Sequence, residues 1–171
     1  TIQFSKTSGL EFADAAEYLT ATVNSMDVTI ERAADVFNYL GDATATGADE
    51  VAVAFSKVGG AAKTADLEFE KVASWIAVIS SRTREAAEVI GSSLNSILAR
   101  YRNIKAAGFV QNDDGSTTVT NDVVAALGSA GINAIDESTG QLRNYGDILD
   151  ELAPKWKTLD SNTQAYLGTV M

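Results

Sequence analysis

The sequence predicts a mainly α protein: a multi-helix bundle of short amphipathic helices, with one or two small β-hairpins in the C-terminal third. Three observations lead there. Through the first hundred positions apolar residues recur at three- and four-residue steps, the spacing that gathers side chains on one helix face at about 100° per residue. With 171 residues and 46% apolar content the chain can build a core. After Lys105 the texture changes to β-branched and aromatic residues flanking turn glycines.

The elements follow in order. Phe12, Ala15, Ala16, Leu19 and Val23 line one face of a first helix. Asp27 or Thr29 caps a second, which carries Ile30, Ala33, Ala34, Phe37 and Leu40 and ends at Gly41. A third runs from Asp49 to Val58 and stops at the Gly59-Gly60 pair. A fourth, from Asp66 to Ser80, carries Leu67, Phe69, Val72, Trp75, Ile76 and Ile79. Thr83 caps a fifth, with Glu85 and Glu88 near its dipole-positive end and a seam of Val89, Ile90, Leu94, Ile97, Leu98 and Tyr101. Gly91 within that seam lowers helix propensity by about 1 kcal/mol relative to alanine, so a helix there implies close tertiary packing.

Beyond residue 105, "FVQNDDGSTTV" places an Asp-Gly turn between strand-forming residues and predicts a hairpin over Phe109 to Val119. "INAIDESTGQLR" predicts a second, with Gly140 in the turn. At an offset of 25 residues Gly115 falls on Gly140, Asp122 on Asp147 and Leu127 on Leu152, as if a hairpin and an Asp-capped helix occurred twice. Pro154 stops or kinks the helix begun near Asp147 unless it opens a new one. Asp160 or Ser161 caps the last helix. The resulting division is a helical segment over 1–105 and a hairpin-plus-helix segment over 106–171, packed as one domain. A start without methionine and an end inside a helix make a segment of a longer protein the expectation.

Composition narrows function. Thirteen basic against 23 acidic residues give a net charge of -10, which repels phosphate backbones, so sequence-specific nucleic-acid binding is not expected. Without cysteine or histidine there is no thiol nucleophile, catalytic triad or ordinary zinc site. No apolar run reaches the roughly 18 residues of a membrane span. No cofactor and no catalytic residue are expected.

The remaining chemical signals have local explanations. An EF-hand register with Gly115 at its sixth position puts Val110 at the first and Asn121 at the twelfth, where acids are needed. "KVGGAAKT" lacks phosphate-loop spacing. Glu68/Glu70 and Asp147/Asp150/Glu151 are carboxylate groupings that a glycosidase could use, but on helices they read as solvated faces. Trp75 shares a helical side with Val72, Ile76 and Ile79 and reads as core. Trp156, between Lys155 and Lys157, is compatible with core or surface. From Ser80 to Lys105 five basic residues (Arg82, Arg84, Arg100, Arg102, Lys105) face two acids, a local +3, whereas the rest of the chain carries eight basic and 21 acidic residues, or -13. This basic island is either helix-end charge balanced by neighbouring acids or a surface for an acidic partner.

Two stretches carry a further signal. "EVIGSSLNSILARYR" has an Ile-Gly-x-x-Leu-x-x-Ile-x-x-Arg pattern. "GINAIDESTGQLRNYGDILDELAPKWKTLDSNTQAYLG" has a Gly-Ile, an Asp-x-x-x-Gly turn, an acidic Leu-rich helix, Lys-Trp and a Gln-containing helix. In this order they resemble the core region of phage tail tape-measure proteins, over roughly residues 10 to 171. The matching positions are Gly91, Leu94, Ile97 and Arg100, then Asp136, Gly140, Leu149, Leu152, Trp156 and Gln164.

The resemblance implies a structural and assembly role: a largely helical virion protein, made in the host cytoplasm, that lies in the tail tube lumen and helps set tail length. Its implied partners are the tail tube protein, tail assembly chaperones, tail-tip proteins and further copies of itself. No catalytic residue travels with the resemblance. Pro154 and the hairpin at Phe109 to Val119 depart from the family pattern. The alternatives are a carboxylate-dependent cell-wall glycosidase fragment and a secreted helical adhesin or effector.

Overall fold

Helix caps and apolar faces fix most of the fold of this computed structural model, which describes residues 1–107, 110, 111, 117, 118 and 122–171; side chains from 102 to 121 lie outside the described set. Two compact units are present, Thr1–Leu98 and Ala99–Met171.

In the first unit α1 (Ile2–Ser8) is followed by α2 (Phe12–Met26), α3 (Ile30–Ala43), α4 (Ala48–Thr64), α5 (Phe69–Thr83) and the start of α6 (Ala87–Ala107). Thr29 caps α3 by accepting from the Arg32 N–H at 3.2 Å. Asp27 instead terminates α2 in a left-handed conformation with φ 54°. Helix α4 is the centre of the unit: α1, α2, α3 and α5 all pack on it.

The core is an aromatic cluster. Phe37 meets Phe4, Phe55 and Phe69 at ring-centroid separations of 6.1, 5.8 and 5.5 Å, and Phe55 meets Phe69 edge-on at 5.0 Å. Tilted and edge-to-face pairs of this kind add about 0.5–1.5 kcal/mol each beyond the area they bury. Phe4 is the single buried residue of α1, which is too short to be stable alone, so α1 is held by that ring.

The predicted stop at Gly59-Gly60 does not occur, because α4 continues to Thr64. Gly59 is buried, and a Cβ there would lie 2.4 Å from Ser25 Oγ of α2. The glycine serves helix contact rather than helix termination. Helix α6 begins later than expected, at Ala87; Thr83 belongs to the last turn of α5, and its Oγ1 accepts from the Glu85 N–H.

The second unit contains the last part of α6, α7 (Asp122–Ser129), α8 (Tyr145–Lys155), a 3-10 turn (Trp156–Thr158) and α9 (Ser161–Val170). Helices α7 and α9 pack together. Tyr101 and Tyr145 pack with tilted rings at a centroid separation of 4.7 Å, and the Tyr101 hydroxyl donates to the Arg143 carbonyl at 2.5 Å.

Mainly-α is right, but among the described residues the β-hairpins expected in the C-terminal third do not form beyond a few paired residues. Around Gly140 a single bridge joins Ile135 to Leu142. The segment is a turn: Gly140 has φ +66°, its N–H donates to the Asp136 carbonyl, and the Asp136 carboxylate accepts from the N–H groups of Ser138 and Thr139. Side-chain-to-backbone bonds of this kind compete with ladder formation, so one bridge is all that forms. In the other stretch, among the described residues, Val110–Gln111 lies opposite Thr117–Thr118, two residues against two. Its Asp-Gly turn lies outside the described residues. The 25-residue repeat fails as well, because α8 is capped by Asn144 and starts at Tyr145, two positions before Asp147.

Candidate functional site

The family-pattern positions separate into three constructions. The first is a close helix approach. Gly91 is buried in the first turns of α6, and a Cβ on it would sit 2.3 Å from the Ala54 carbonyl oxygen of α4. Only glycine lets the backbones come this near. Leu94 and Ile97 are half-buried further along α6, and Arg100 is exposed.

The second construction is the turn between α7 and α8. Asp136 Oδ1 accepts from the Ser138 N–H at 2.8 Å, the Ser138 hydroxyl at 2.6 Å and the Thr139 N–H at 3.1 Å. The Ser138 hydroxyl, then these backbone bonds, hold the Asp136 carboxyl below its ordinary range. Gly140 supplies the positive φ that closes the turn.

The third is the joint between α8 and α9. Leu152 is buried, Leu149 half-buried, and Trp156 exposed at the start of the 3-10 turn. Gln164 donates from Nε2 to the carbonyls of Trp156 at 2.7 Å and Leu159 at 3.3 Å, so it ties α9 to the end of α8. Pro154 cannot donate to the preceding turn, and the α-helix gives way to 3-10 geometry two residues later. Asp160 caps α9 by accepting from the Asn162 and Thr163 N–H groups.

Sequence reasoning did not anticipate an ion network beside this joint. Glu151 accepts from Lys155 Nζ and Arg143 Nη1, both at 2.9 Å. The same two cations donate to the carbonyls of Gly131 and Asn133 at 2.9 and 2.8 Å, which fastens the α7–α8 connection to α8. The i,i+4 spacing of Glu151 and Lys155 was a usable signal for half of it.

This network also bears on Glu151 as a candidate carboxylate. Lys155 first, then Arg143, pulls the Glu151 carboxyl below its ordinary range, the opposite of what a glycosidase general acid needs. Glu70 is engaged by Arg32, whose Nε donates at 2.6 Å. No cluster of three or more metal-ligating side chains occurs among the described residues. No helix is long and apolar enough to cross a membrane, again among the described residues.

The basic island is dispersed over different elements. Arg82 lies in the last turn of α5, Arg84 is its left-handed C-cap with φ 59°, and Arg100 lies on α6. Glu85 and Glu88 stand between them in sequence. The side chains of Arg102 and Lys105 lie outside the described residues. Trp75, expected in the core, is half-buried at the edge of the α5 packing face, whereas Val72 and Ile76 are fully buried.

A family model described as phage-related minor tail protein matches the chain over residues 1–171. No solved structure matches it.

Proposed function

The chain belongs to the phage-related minor tail protein family, and from that premise we propose that it is a segment of a tape-measure protein, lying in the tail tube lumen and contributing to tail length. Membership over the whole chain makes it a phage tail protein. The finer assignment is carried by the ordered succession of the Gly91-to-Arg100 pattern and the Asp136-to-Gln164 pattern within one chain. Its expected partners are the tube protein, the tail assembly chaperones and the tail-tip proteins.

The geometry supports an architectural role. Gly91, Asp136, Gly140 and Gln164 fix a helix approach, a turn and a helix joint. Glu151, which meets both Arg143 and Lys155, is committed to holding a loop.

The test is mass spectrometry of purified tails, combined with electron microscopy of particles whose gene carries in-frame deletions outside this segment. The tape-measure assignment expects the protein inside assembled tails and tails shortened in proportion to the deletion. Tails of unchanged length that contain the shortened protein would overturn that assignment and leave a minor tail protein of another kind.

A further inference from the structure

Helix α1 is anchored by one side chain. Of its seven residues Phe4 is buried, whereas Ile2, Gln3, Lys6 and Thr7 are exposed. Helix α4, by comparison, buries eight. Among the described residues the Phe4 ring pairs with Phe37, at 6.1 Å, and with no other ring. Phe37, Phe55 and Phe69 close a triangle without it, at separations of 5.8, 5.5 and 5.0 Å. Phe4 is thus an addition to an aromatic core that is complete in its absence.

The polar contacts of α1 do not hold it down. Ser8 Oγ donates to the Phe4 carbonyl and Ser5 Oγ to the Leu10 carbonyl, both at 2.7 Å, so these bonds travel with the segment. Thr7 Oγ1 reaches Asn38 Oδ1 at 2.8 Å, and it also lies 3.1 Å from the Phe4 carbonyl and 3.2 Å from that of Gln3. A hydroxyl has one proton to donate. On release of α1 that proton turns to its own helix, and the Asn38 oxygen, in an exposed contact, takes water instead. Undocking strands no polar group. Nor is α1 supported along its length, because a cleft of about 430 Å³ lies between Thr7 and Ser8 at its end and Asp42, Gly47 and Asp49 of α3 and α4. A pivot follows directly. Gly9 is exposed with φ +75°, a conformation that strains any L-residue, and nothing stands within 4 Å of where its Cβ would be. Residues 9–11 then join α1 to α2 outside any helix.

We propose that α1 is a strap over the aromatic core, latched by Phe4 and pivoting at Gly9, which opens while α2 to α5 stay folded. Opening bares the face of Phe37 that Phe4 covers, and closing hides it again, so α1 governs the exposure of the ring at the hub of the core. A segment with one buried ring and self-satisfied hydroxyls sits at the low end of local stability, from which the moving elements of proteins are drawn. The strap belongs to the first unit alone and does not depend on the tape-measure assignment.

Hydrogen exchange of the 171-residue chain, read by mass spectrometry on peptides covering residues 1–11 and 48–64, tests it. The amides of α1 are expected to be protected, yet to exchange about 100-fold or more faster than those of α4. Low denaturant should leave the α1 rate unchanged, because local opening exposes little surface. Phe4→Ala removes the latch and should abolish protection over 1–11 while changing 48–64 by less than about tenfold. Gly9→Ala keeps Phe4 and strains only the closed form, so protection over 1–11 should fall roughly tenfold with 48–64 unchanged. Exchange of both segments at one rate and with one denaturant dependence overturns the proposal. So does a Phe4→Ala chain that loses its helical circular dichroism, since Phe4 would then belong to the cooperative core. A wild-type α1 without protection, or a Gly9→Ala chain that exchanges like the wild type, overturns it as well.

Discussion

Replacing Gly91 and Gly60 by alanine, one at a time, separates helix propensity from helix packing within one unit. Both glycines lie inside α-helices, and alanine gains about 0.8–1.0 kcal/mol of intrinsic propensity in each. At Gly60 nothing lies within 4 Å of the added Cβ, so the gain stands and the variant is expected to be more stable by somewhat under 1 kcal/mol. At Gly91 the Cβ falls 2.3 Å from the Ala54 carbonyl oxygen and 3.0 Å from its Cα, against an ordinary contact of 3.4–4 Å. The overlap with the oxygen is 3.4 less 2.3, or 1.1 Å, and it is with backbone that cannot rotate away. Forcing α6 from α4 costs about 1–3 kcal/mol, as overpacked cores do. Propensity cancels between the variants, so their stabilities should differ by that same ~1–3 kcal/mol, with Gly91→Ala the weaker. Denaturant unfolding followed by circular dichroism measures the difference, with equal slopes required for the comparison. If Gly91→Ala proves as stable as Gly60→Ala, the close approach of α4 and α6 is not what glycine provides there.

Phe37→Ala removes the ring that touches Phe4, Phe55 and Phe69, and should cost the first unit about 3–5 kcal/mol in the same assay; a loss below 1 kcal/mol would mean the cluster collapses around the gap. Thr29→Ala deletes the α3 cap and should cost about 1 kcal/mol, whereas Thr29→Ser should cost little. For Glu151, whose carboxyl is held low by Lys155 and Arg143, the stabilisation is complete above the ordinary glutamate range and fades as pH falls through the lowered value. Acid titration followed by tryptophan fluorescence of a Trp75→Phe chain, which leaves Trp156 as the reporter, should therefore show a loss as pH falls below the ordinary glutamate range that Glu151→Gln removes. At the alkaline end, burial pushes the Tyr145 hydroxyl up to about 12 and raises Tyr101 as well. Raised values stabilise below the ordinary tyrosine range and lose that contribution as pH climbs through them. Absorbance titration should resolve a late-ionising class that Tyr145→Phe diminishes.

Periodicity exposed the helices that have a strong apolar face and a good cap, such as α3 behind Thr29 and α9 behind Asp160. It did not reveal α1, whose only core residue is Phe4 and which exists because Phe37 receives that ring. It also read Gly59-Gly60 as a stop, since local rules cannot see Ser25 approaching from α2. The turn at Gly140 was located correctly, and its conformation was not. Asp136 bonds to the backbone on its own side of Gly140, and that local network displaces the ladder a hairpin would need.

By itself the sequence determined the helical class, the caps of α3 and α9, the absence of histidine and cysteine chemistry, and the pattern that marks a tail protein. These are properties of single residues and short spacings. The tertiary structure alone decided which glycines stop a helix and which bring two helices together. It likewise decided that Glu151 is drawn into holding the α7–α8 connection by Lys155 and Arg143, and that Arg82, Arg84 and Arg100 of the basic island lie on separate elements. Each of these depends on what stands opposite a side chain, and that neighbour comes from another helix.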